Sequence, residues 1–444
     1  MNYYVFINPP ALVVDGYQEE AHASPYPYSF LKILSYYKSL GHKCLFIDMM
    51  YYKKPPFEKL PLYENIVSYI KNPTNYPNKS FRILGRDLNY LGSTLFNIKG
   101  EIKKFFITAC LTYNYPIIWD IVNYLKREFP KAEIVIGGFY PTWLPEHLSN
   151  LQVKVYAGKF TKADRCIPDY SVFEERPEFA IFRLIEGCVY KCSFCCNSEV
   201  FKVRKLPIIQ VLKEIEHIYS NYGIKDFENW DPNVMIDKEF LKSFIIKIRK
   251  RFVDINLRFE MGIQLSKLDN ELIKLFVSES IKDITLPLES SNNDMLKFFK
   301  KPYRFENVFD KIVTLFKSNF DFSRSHFTFM LGYPEDNIEG MINCYLISIL
   351  SGGIPQPFPV TLTPKTLDYK RYYDFIKDKD LLELNGNLFP LARSKEEFLL
   401  KDKILYIFNL KDMKVARREL DSISSRFSRY FDAEYEKLTK VFKR

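Results

Sequence analysis

The sequence predicts an α/β protein with two successive runs of parallel strands and helices, followed by a mainly helical C-terminal segment. Three observations predict it. Short apolar runs alternate with helix-period stretches from Tyr3 to Tyr156, the alternation restarts at Phe179, and beyond residue 366 only helical spacing remains. A chain of 444 residues is also too long for one ordinary domain, and a hydrophobic content of 47% supplies sizeable cores.

The first run spans residues 1–165. Tyr3 to Ile7 reads as a strand broken by Asn8-Pro9-Pro10, and Tyr28 to Leu40 as a helix stopped by Gly41. Lys43 to Ile47 is a second strand. Residues 51–80, rich in Pro, Tyr, Lys and Asn, read as an insertion. Phe105 to Cys110 is a third strand, Ile117 to Phe129 a helix, and Ile134 to Ile136 a fourth strand ending in Gly137-Gly138. Val153 to Tyr156 is a fifth strand, ending at Gly158. Strands linked by helices imply a parallel sheet with right-handed crossovers, and such sheets bind ligands at the carboxyl ends of their strands. Residues 166–178 read as a linker.

The second run, 179–365, begins with an apolar strand at Phe179. Further strands are predicted at Asp226 to Asn229, Leu257 to Gln264, Ile281 to Glu289, Ser325 to Leu331 and Pro357 to Leu362. Helices are predicted at Ile208 to Tyr222, Lys238 to Arg251, Asn270 to Val277, Phe305 to Ser318 and Asn337 to Ile349. In residues 366–444, Leu420, Ile423, Phe427, Phe431, Leu438 and Phe442 form an approximate helical stripe, read as a packed terminal helix.

The net charge of +10 comes from 64 basic and 54 acidic residues spread along the chain. With no basic block, nucleic acid is not implied. Eight cysteines in 444 residues make no disulfide framework and point to a reducing cytoplasm. The N-terminal residues read as a strand, not a signal peptide, and no stretch reaches the about 18 apolar residues of a membrane span.

The chemistry-bearing motif is Cys188-Val-Tyr-Lys-Cys192-Ser-Phe-Cys195, a C-x3-C-x2-C loop directly after the apolar run from Phe179 to Ile185. Three thiolates from one tight loop suit a cubane [4Fe-4S] cluster, which takes one cysteine per iron and so keeps one iron open. A zinc knuckle is the competing reading. Structural zinc wants four closed ligands, and the fourth candidate here, Cys196, directly adjoins Cys195.

With Phe194 before its last cysteine, this motif resembles the signature of the radical SAM superfamily. The resemblance implies that Cys188, Cys192 and Cys195 hold a [4Fe-4S] cluster. The open iron would chelate S-adenosylmethionine (SAM), and one electron would release a 5′-deoxyadenosyl radical. It implies a partial (β/α)6 barrel over 179–365, with the cluster loop at the carboxyl-end mouth. Asp231 would meet the SAM amino group (an Asx turn before Pro232 is the alternative), and Gln264 would face SAM. Glu289 and Ser290 would meet its ribose or carboxylate, and Gly332-Tyr333-Pro334-Glu335 would pass the adenine. A Glu closing a run as apolar as Ile284 to Leu288 also demands a buried partner.

The first 165 residues resemble the Rossmann-like (flavodoxin-like) cobalamin-binding domain that precedes many such barrels. The carrying pieces are Asn8-Pro9-Pro10, Gly41-His42, Gly137-Gly138-Phe139-Tyr140-Pro141-Thr142 and Pro145-Glu146-His147. Gly137 and Gly138 would let backbone approach cobalamin. The cobalt-ligating D-x-H-x-x-G motif is absent, since no histidine follows an Asp by two positions. A flavodoxin-like domain without the cofactor is the plainer alternative.

Together these resemblances imply a cobalamin-dependent radical SAM methyltransferase acting on an unactivated carbon of a small-molecule, lipid or peptide substrate. A flavodoxin or ferredoxin would donate electrons. Alternatives are a radical SAM cyclase or rearrangement enzyme, a methylthiotransferase using Cys44, Cys110 and Cys166 for a second cluster, and a non-catalytic iron–sulfur scaffold.

Overall fold

The structure is a computed structural model that describes residues 3–14, 26–50, 57–98, 101–197, 202–281 and 283–443. It is an α/β protein with parallel sheets and a helical C-terminal segment, the class the sequence predicts. In chain order the strands are β1 (Tyr3–Asn8), β2 (Ala11–Val14), β3 (Lys43–Asp48), β4 (Phe81–Leu84), β5 (Ile102–Thr108), β6 (Glu133–Gly137), β7 (Lys154–Tyr156), β8 (Phe179–Phe182), β9 (Ile185–Glu186), β10 (Arg204–Lys205), β11 (Asp226–Asn229), β12 (Asn256–Arg258), β13 (Thr285–Glu289), β14 (His326–Leu331) and β15 (Ile354–Pro359).

The first sheet runs β3-β1-β5-β6-β7, all parallel. Its middle strands are apolar on both faces because helices cover both sides: Val5, Phe6, Ile7, Phe105 and Ile136 are fully buried. The chain crosses from β1 to β3 on one side and then returns to β5 on the other, so the switch point lies between β1 and β5. The predicted insertion at 51–80 begins outside the described residues. From Phe57 it forms short 3₁₀ turns and delivers the chain to β4, which pairs antiparallel with β2. The pattern-based reading missed this ribbon, and it missed the helix Leu88–Phe96, whose N-terminus is capped by Asp87 accepting from Tyr90 N at 3.0 Å.

In the second run β8, β11 and β12 form one parallel sheet and β13, β14 and β15 another. A single parallel bridge, Phe259 to Ile284, joins them, giving an open six-stranded barrel in chain order. Three predicted strands are corrected. The one expected over Leu257 to Gln264 covers Asn256–Arg258, because the chain turns at Glu260-Met261 and Gly262 takes φ 104°, a left-handed conformation. The strand expected from Ile281 starts at Thr285. The last strand is Ile354–Pro359 rather than Pro357 to Leu362. It carries Pro355, Pro357 and Pro359 at alternate positions on the sheet edge. Ile354 N and Val360 N donate to Ser325 O and Leu331 O at 2.9 Å, so the missing N–H groups fall on the open side.

The C-terminal stripe is two helices, Met413–Ile423 and Ser425–Val441, broken at Ser424, which caps the second by accepting from Arg426 N. No described helix is long and apolar enough to cross a membrane.

A buried ionic triad ties the two runs together. Lys32, on the helix Tyr28–Ser39, pairs with Glu214, on the helix Ile208–Tyr222, at 2.9 Å, and the Tyr28 hydroxyl donates to the same carboxylate at 2.7 Å. Side-chain exposures of 9% and 6% leave neither charge to water. Removing one charge strands the other, which is far costlier than replacing the pair. We expect Lys32→Met to lower stability by about 3–5 kcal/mol in chemical denaturation. The double replacement Lys32→Met with Glu214→Leu should recover much of the loss.

Candidate functional site

The cysteine loop springs from the carboxyl end of β8. The Asp231 carboxylate accepts from Leu184 N (2.9 and 3.1 Å) and Ile185 N (2.9 Å), fixing the path into the loop. Burial lifts the Asp231 carboxyl to about 7. Two residues later β9 pairs antiparallel with β10, closing the base of the loop. Glu186 receives Lys159 Nζ at 2.6 Å and Arg204 Nε at 3.0 Å, and Arg204 also reaches Asp164 at 2.8 Å. This charged knot ties the base of the loop to the segment after β7.

The three thiols of the loop are half-buried and free. Burial raises all three, and each is raised further by another of the set: Cys188 by Cys192, Cys192 by Cys195 and Cys195 by Cys188. The loop therefore gathers them around one space. Among the described residues no three His, Cys, Asp or Glu side chains converge on a single ion. Thiols that each bind a different iron of a four-iron cluster stand further apart than the ligands of one ion, so this donor set fits a cubane. Cys196 is half-buried beside them, its thiol raised by burial and by Cys195.

The loop is anchored at Ser193, which is fully buried. Its N–H donates to Phe299 O at 3.0 Å, its carbonyl accepts from Asp368 N at 2.9 Å, and its hydroxyl donates to Asp368 Oδ2 at 3.0 Å.

The predicted strand-end residues surround the loop. Glu289 closes β13 in a left-handed conformation, φ 61°, and the partner its burial demands is Lys301, whose Nζ donates to Glu289 Oε1 at 2.6 Å. Burial works against the Lys301 charge, but Glu289 holds its pKa above the ordinary lysine value. Lys301 also lies 4.9 Å from the Phe194 ring centre, and its charge lowers the Cys192 thiol pKa against the rise from burial. Ser290 is buried, its hydroxyl accepting from Asn292 N at 3.1 Å.

Gln264 follows the turn after β12 rather than ending a strand. Its carbonyl accepts from Asn233 Nδ2 at 3.1 Å, and Asn233 lowers the Cys188 thiol pKa against the rise from burial. At the end of β14, Gly332 N and Tyr333 N donate to Asp336 at 2.7 and 3.1 Å. Lys401 braces the same turn, donating to Tyr333 O at 2.8 Å and Asp336 Oδ2 at 3.2 Å. Pro334 follows, half-buried. The sequence reading missed Asn233, Lys301, Asp368 and Lys401. Only for Lys301 was there a signal, the need of Glu289 for a partner.

Two donors at this mouth are dry and unpartnered among the described residues: Arg183 Nε, just past β8, and Asn229 Nδ2, at the end of β11. Asn229 is 2% exposed, so its unmet amide donor suits a polar ligand. These orphans and the strand-end carboxylates fit a polar cofactor such as SAM.

The first run meets the same region through Tyr28, at the start of the helix Tyr28–Ser39, whose ring centre lies 5.8 Å from the Arg183 guanidinium, and Cys110 follows the carboxyl end of β5. Cys110 is exposed at this end of the sheet. Gly137 ends β6. Gly138 takes φ 121°, and a Cβ there would run into the Ala109 carbonyl oxygen, so close contact between the β5 and β6 turns already requires this glycine. Trp143 Nε1, on the short helix after Gly138, is a third dry, unpartnered donor. A crevice at the switch-point end with orphaned donors fits a large amide-rich cofactor such as cobalamin. His147 is occupied elsewhere: its Nδ1 shares a 2.6 Å hydrogen bond with the Tyr140 hydroxyl, and burial lowers its pKa. Cys44 and Cys110 stand at opposite ends of the first sheet: Cys44 is level, through Tyr4, with Lys104 near the start of β5, and Cys110 follows the end of β5. Cys44 is on the edge strand β3, its thiol on His42 O at 3.6 Å, and Cys166 lies in the segment before β8.

Residues 182–345 match the family model of the Radical SAM superfamily. The chain is 25% identical over 272 residues to the ribosomal protein uS12 methylthiotransferase RimO of Synechocystis sp., covering 55% of this chain and 56% of that protein. It is 23% identical over 175 residues to the cytidylyl-2-hydroxyethylphosphonate methyltransferase of Streptomyces wedmorensis, covering 38% of this chain and 30% of the relative. The chain thus spans about half, or less, of the length of these curated relatives. Among solved structures, the radical SAM methyltransferase TsrM from Kitasatospora setae, with cobalamin and a [4Fe-4S] cluster bound, aligns with TM-score 0.59 at 13% identity, over 90% of this chain and 84% of that one. The cobalamin-dependent radical enzyme OxsB, with aqua-cobalamin and SAM bound, aligns with TM-score 0.50 at 14% identity, over 88% of this chain and 57% of that one. These likenesses establish the two-part fold.

Proposed function

We propose that this chain, whose residues 182–345 form a radical SAM domain, is a cobalamin-dependent radical SAM methyltransferase. One observation carries the reading: the three-cysteine loop follows the carboxyl end of β8, where Arg183 lies 5.8 Å from the ring centre of Tyr28 in the first run. Cys188, Cys192 and Cys195 would hold the [4Fe-4S] cluster, with SAM at its open iron. Gln264, Glu289, Ser290 and the Gly332–Pro334 turn would border the SAM, and the crevice walled by Cys110 and Gly137-Gly138 would take the corrin. When bound, the cluster and SAM supply a one-electron cleavage that makes a carbon-centred radical, and cobalamin supplies a methyl group.

The chain's own residues position these groups. Asp231 would meet the SAM amino group, and by accepting from Leu184 N and Ile185 N its carboxylate also orients the approach to the cluster loop. Lys301 balances Glu289 and lowers the Cys192 thiol pKa. Asn233 holds Gln264 and lowers the Cys188 thiol pKa. Without the histidine motif, the lower cobalt face would lack an imidazole from this chain.

The methylthiotransferase relatives favour a second reading, with another cluster in the first sheet. Against it stands the placement of Cys44 and Cys110 at opposite ends of the first sheet. Anaerobic purification with added cobalamin, followed by iron assay and visible spectroscopy, separates the two. Methyl transfer predicts about four irons per chain with bound corrin, and methylthio transfer about eight without it.

A further inference from the structure

We infer that Asp368, in the C-terminal segment, is a positioning residue that latches the cluster loop in its binding shape. The inference rests on the reading that Cys188, Cys192 and Cys195 hold a cluster. Ser193 lies between two of these cysteines, and none of its polar groups is satisfied within the loop: one goes to Phe299 and two to Asp368. Asp368 is itself 1% exposed, and its carboxylate is shared three ways, accepting from Ser193 Oγ at 3.0 Å, Tyr333 Oη at 2.8 Å and Arg371 Nη1 at 2.8 Å.

One carboxylate therefore joins the cysteine loop to the turn after β14, across 175 residues of sequence on one side and 35 on the other. A loop with two short spans between cysteines has little structure of its own, so its shape must be imposed from outside. Asp368 imposes it through a backbone and a side-chain bond to the same residue. Residues that orient metal ligands in this way typically change metal retention by roughly 10- to 100-fold when removed.

The test uses the full chain, loaded anaerobically with iron and sulfide, and follows iron release to a chelator together with the electron paramagnetic resonance spectrum of the reduced cluster. Asp368→Ala should release iron roughly 10-fold or more faster than wild type, with a broadened or shifted spectrum. Asp368→Asn keeps an acceptor oxygen for Ser193 and should recover much of the retention. Ser193→Ala, which deletes a single hydroxyl, covers the case in which Asp368→Ala fails to fold, and should speed release by a smaller factor. Arg371→Met, which leaves the Ser193 and Tyr333 bonds in place, should release iron at the wild-type rate. Wild-type retention and spectrum in both Asp368→Ala and Ser193→Ala would overturn the latch while leaving the cluster reading intact. Iron that survives replacement of the three cysteines would overturn both.

Discussion

Replacing any one of Cys188, Cys192 and Cys195 with Ala is expected to cut bound iron from about four per chain to near zero and to abolish SAM cleavage. A cubane takes one cysteine per iron, and one iron is already without a protein ligand. Losing another thiolate leaves two irons open on a loop whose shape depends on its contacts with Phe299 and Asp368. The fold should survive, because the loop is held at its base by the β9–β10 pair and the Glu186 knot, which the substitutions do not touch. Iron assay and far-ultraviolet circular dichroism on the same samples check both halves. Cys196→Ala should keep its iron, which distinguishes the three ligands from their neighbour.

The second large effect is expected at Lys301. Lys301→Met strands Glu289, whose side chain is 8% exposed and whose backbone occupies a left-handed conformation that costs a non-glycine residue of order 1 kcal/mol. The ion pair holds that conformation in place. Breaking a buried pair from one side costs about 3–5 kcal/mol, so the variant should unfold at a clearly lower denaturant concentration. In the loaded protein it should also shift the cluster potential to a more negative value, because the Lys301 charge, which lowers the Cys192 thiol pKa, stabilises the reduced, more negative cluster. Lys301→Arg should keep most of the potential. Redox titration followed by paramagnetic resonance reads this shift, which a purely structural lysine would leave unmoved.

Much of this architecture is legible in the sequence because parallel strands buried on both faces read as short apolar runs. Tyr3 to Ile7, Asp226 to Asn229 and Ser325 to Leu331 fall within a residue or two of β1, β11 and β14. Elements that depend on partners were less legible. The last strand is placed too late in the sequence because Gly352, Gly353 and Pro355 read as a turn until the sheet edge is known. The third barrel strand was overextended because the apolar residues Met261 and Ile263 continue the pattern past a turn made by Gly262. At the site, the cysteines announce themselves by spacing. The residues that hold them do not: Asp368 meets Ser193 across 175 positions, and Lys401 meets Tyr333 across 68. The sequence also marks Asp231 as polar at a strand end without revealing that its oxygens turn to Leu184 and Ile185.

The most direct test of the central claim is to reduce the iron-loaded chain anaerobically with SAM present and to assay 5′-deoxyadenosine and methionine by chromatography. The account predicts both products from wild type and neither from the protein lacking Cys188, Cys192 and Cys195. A fully iron-loaded, reduced protein that leaves SAM intact would contradict it and leave an iron–sulfur protein without radical chemistry.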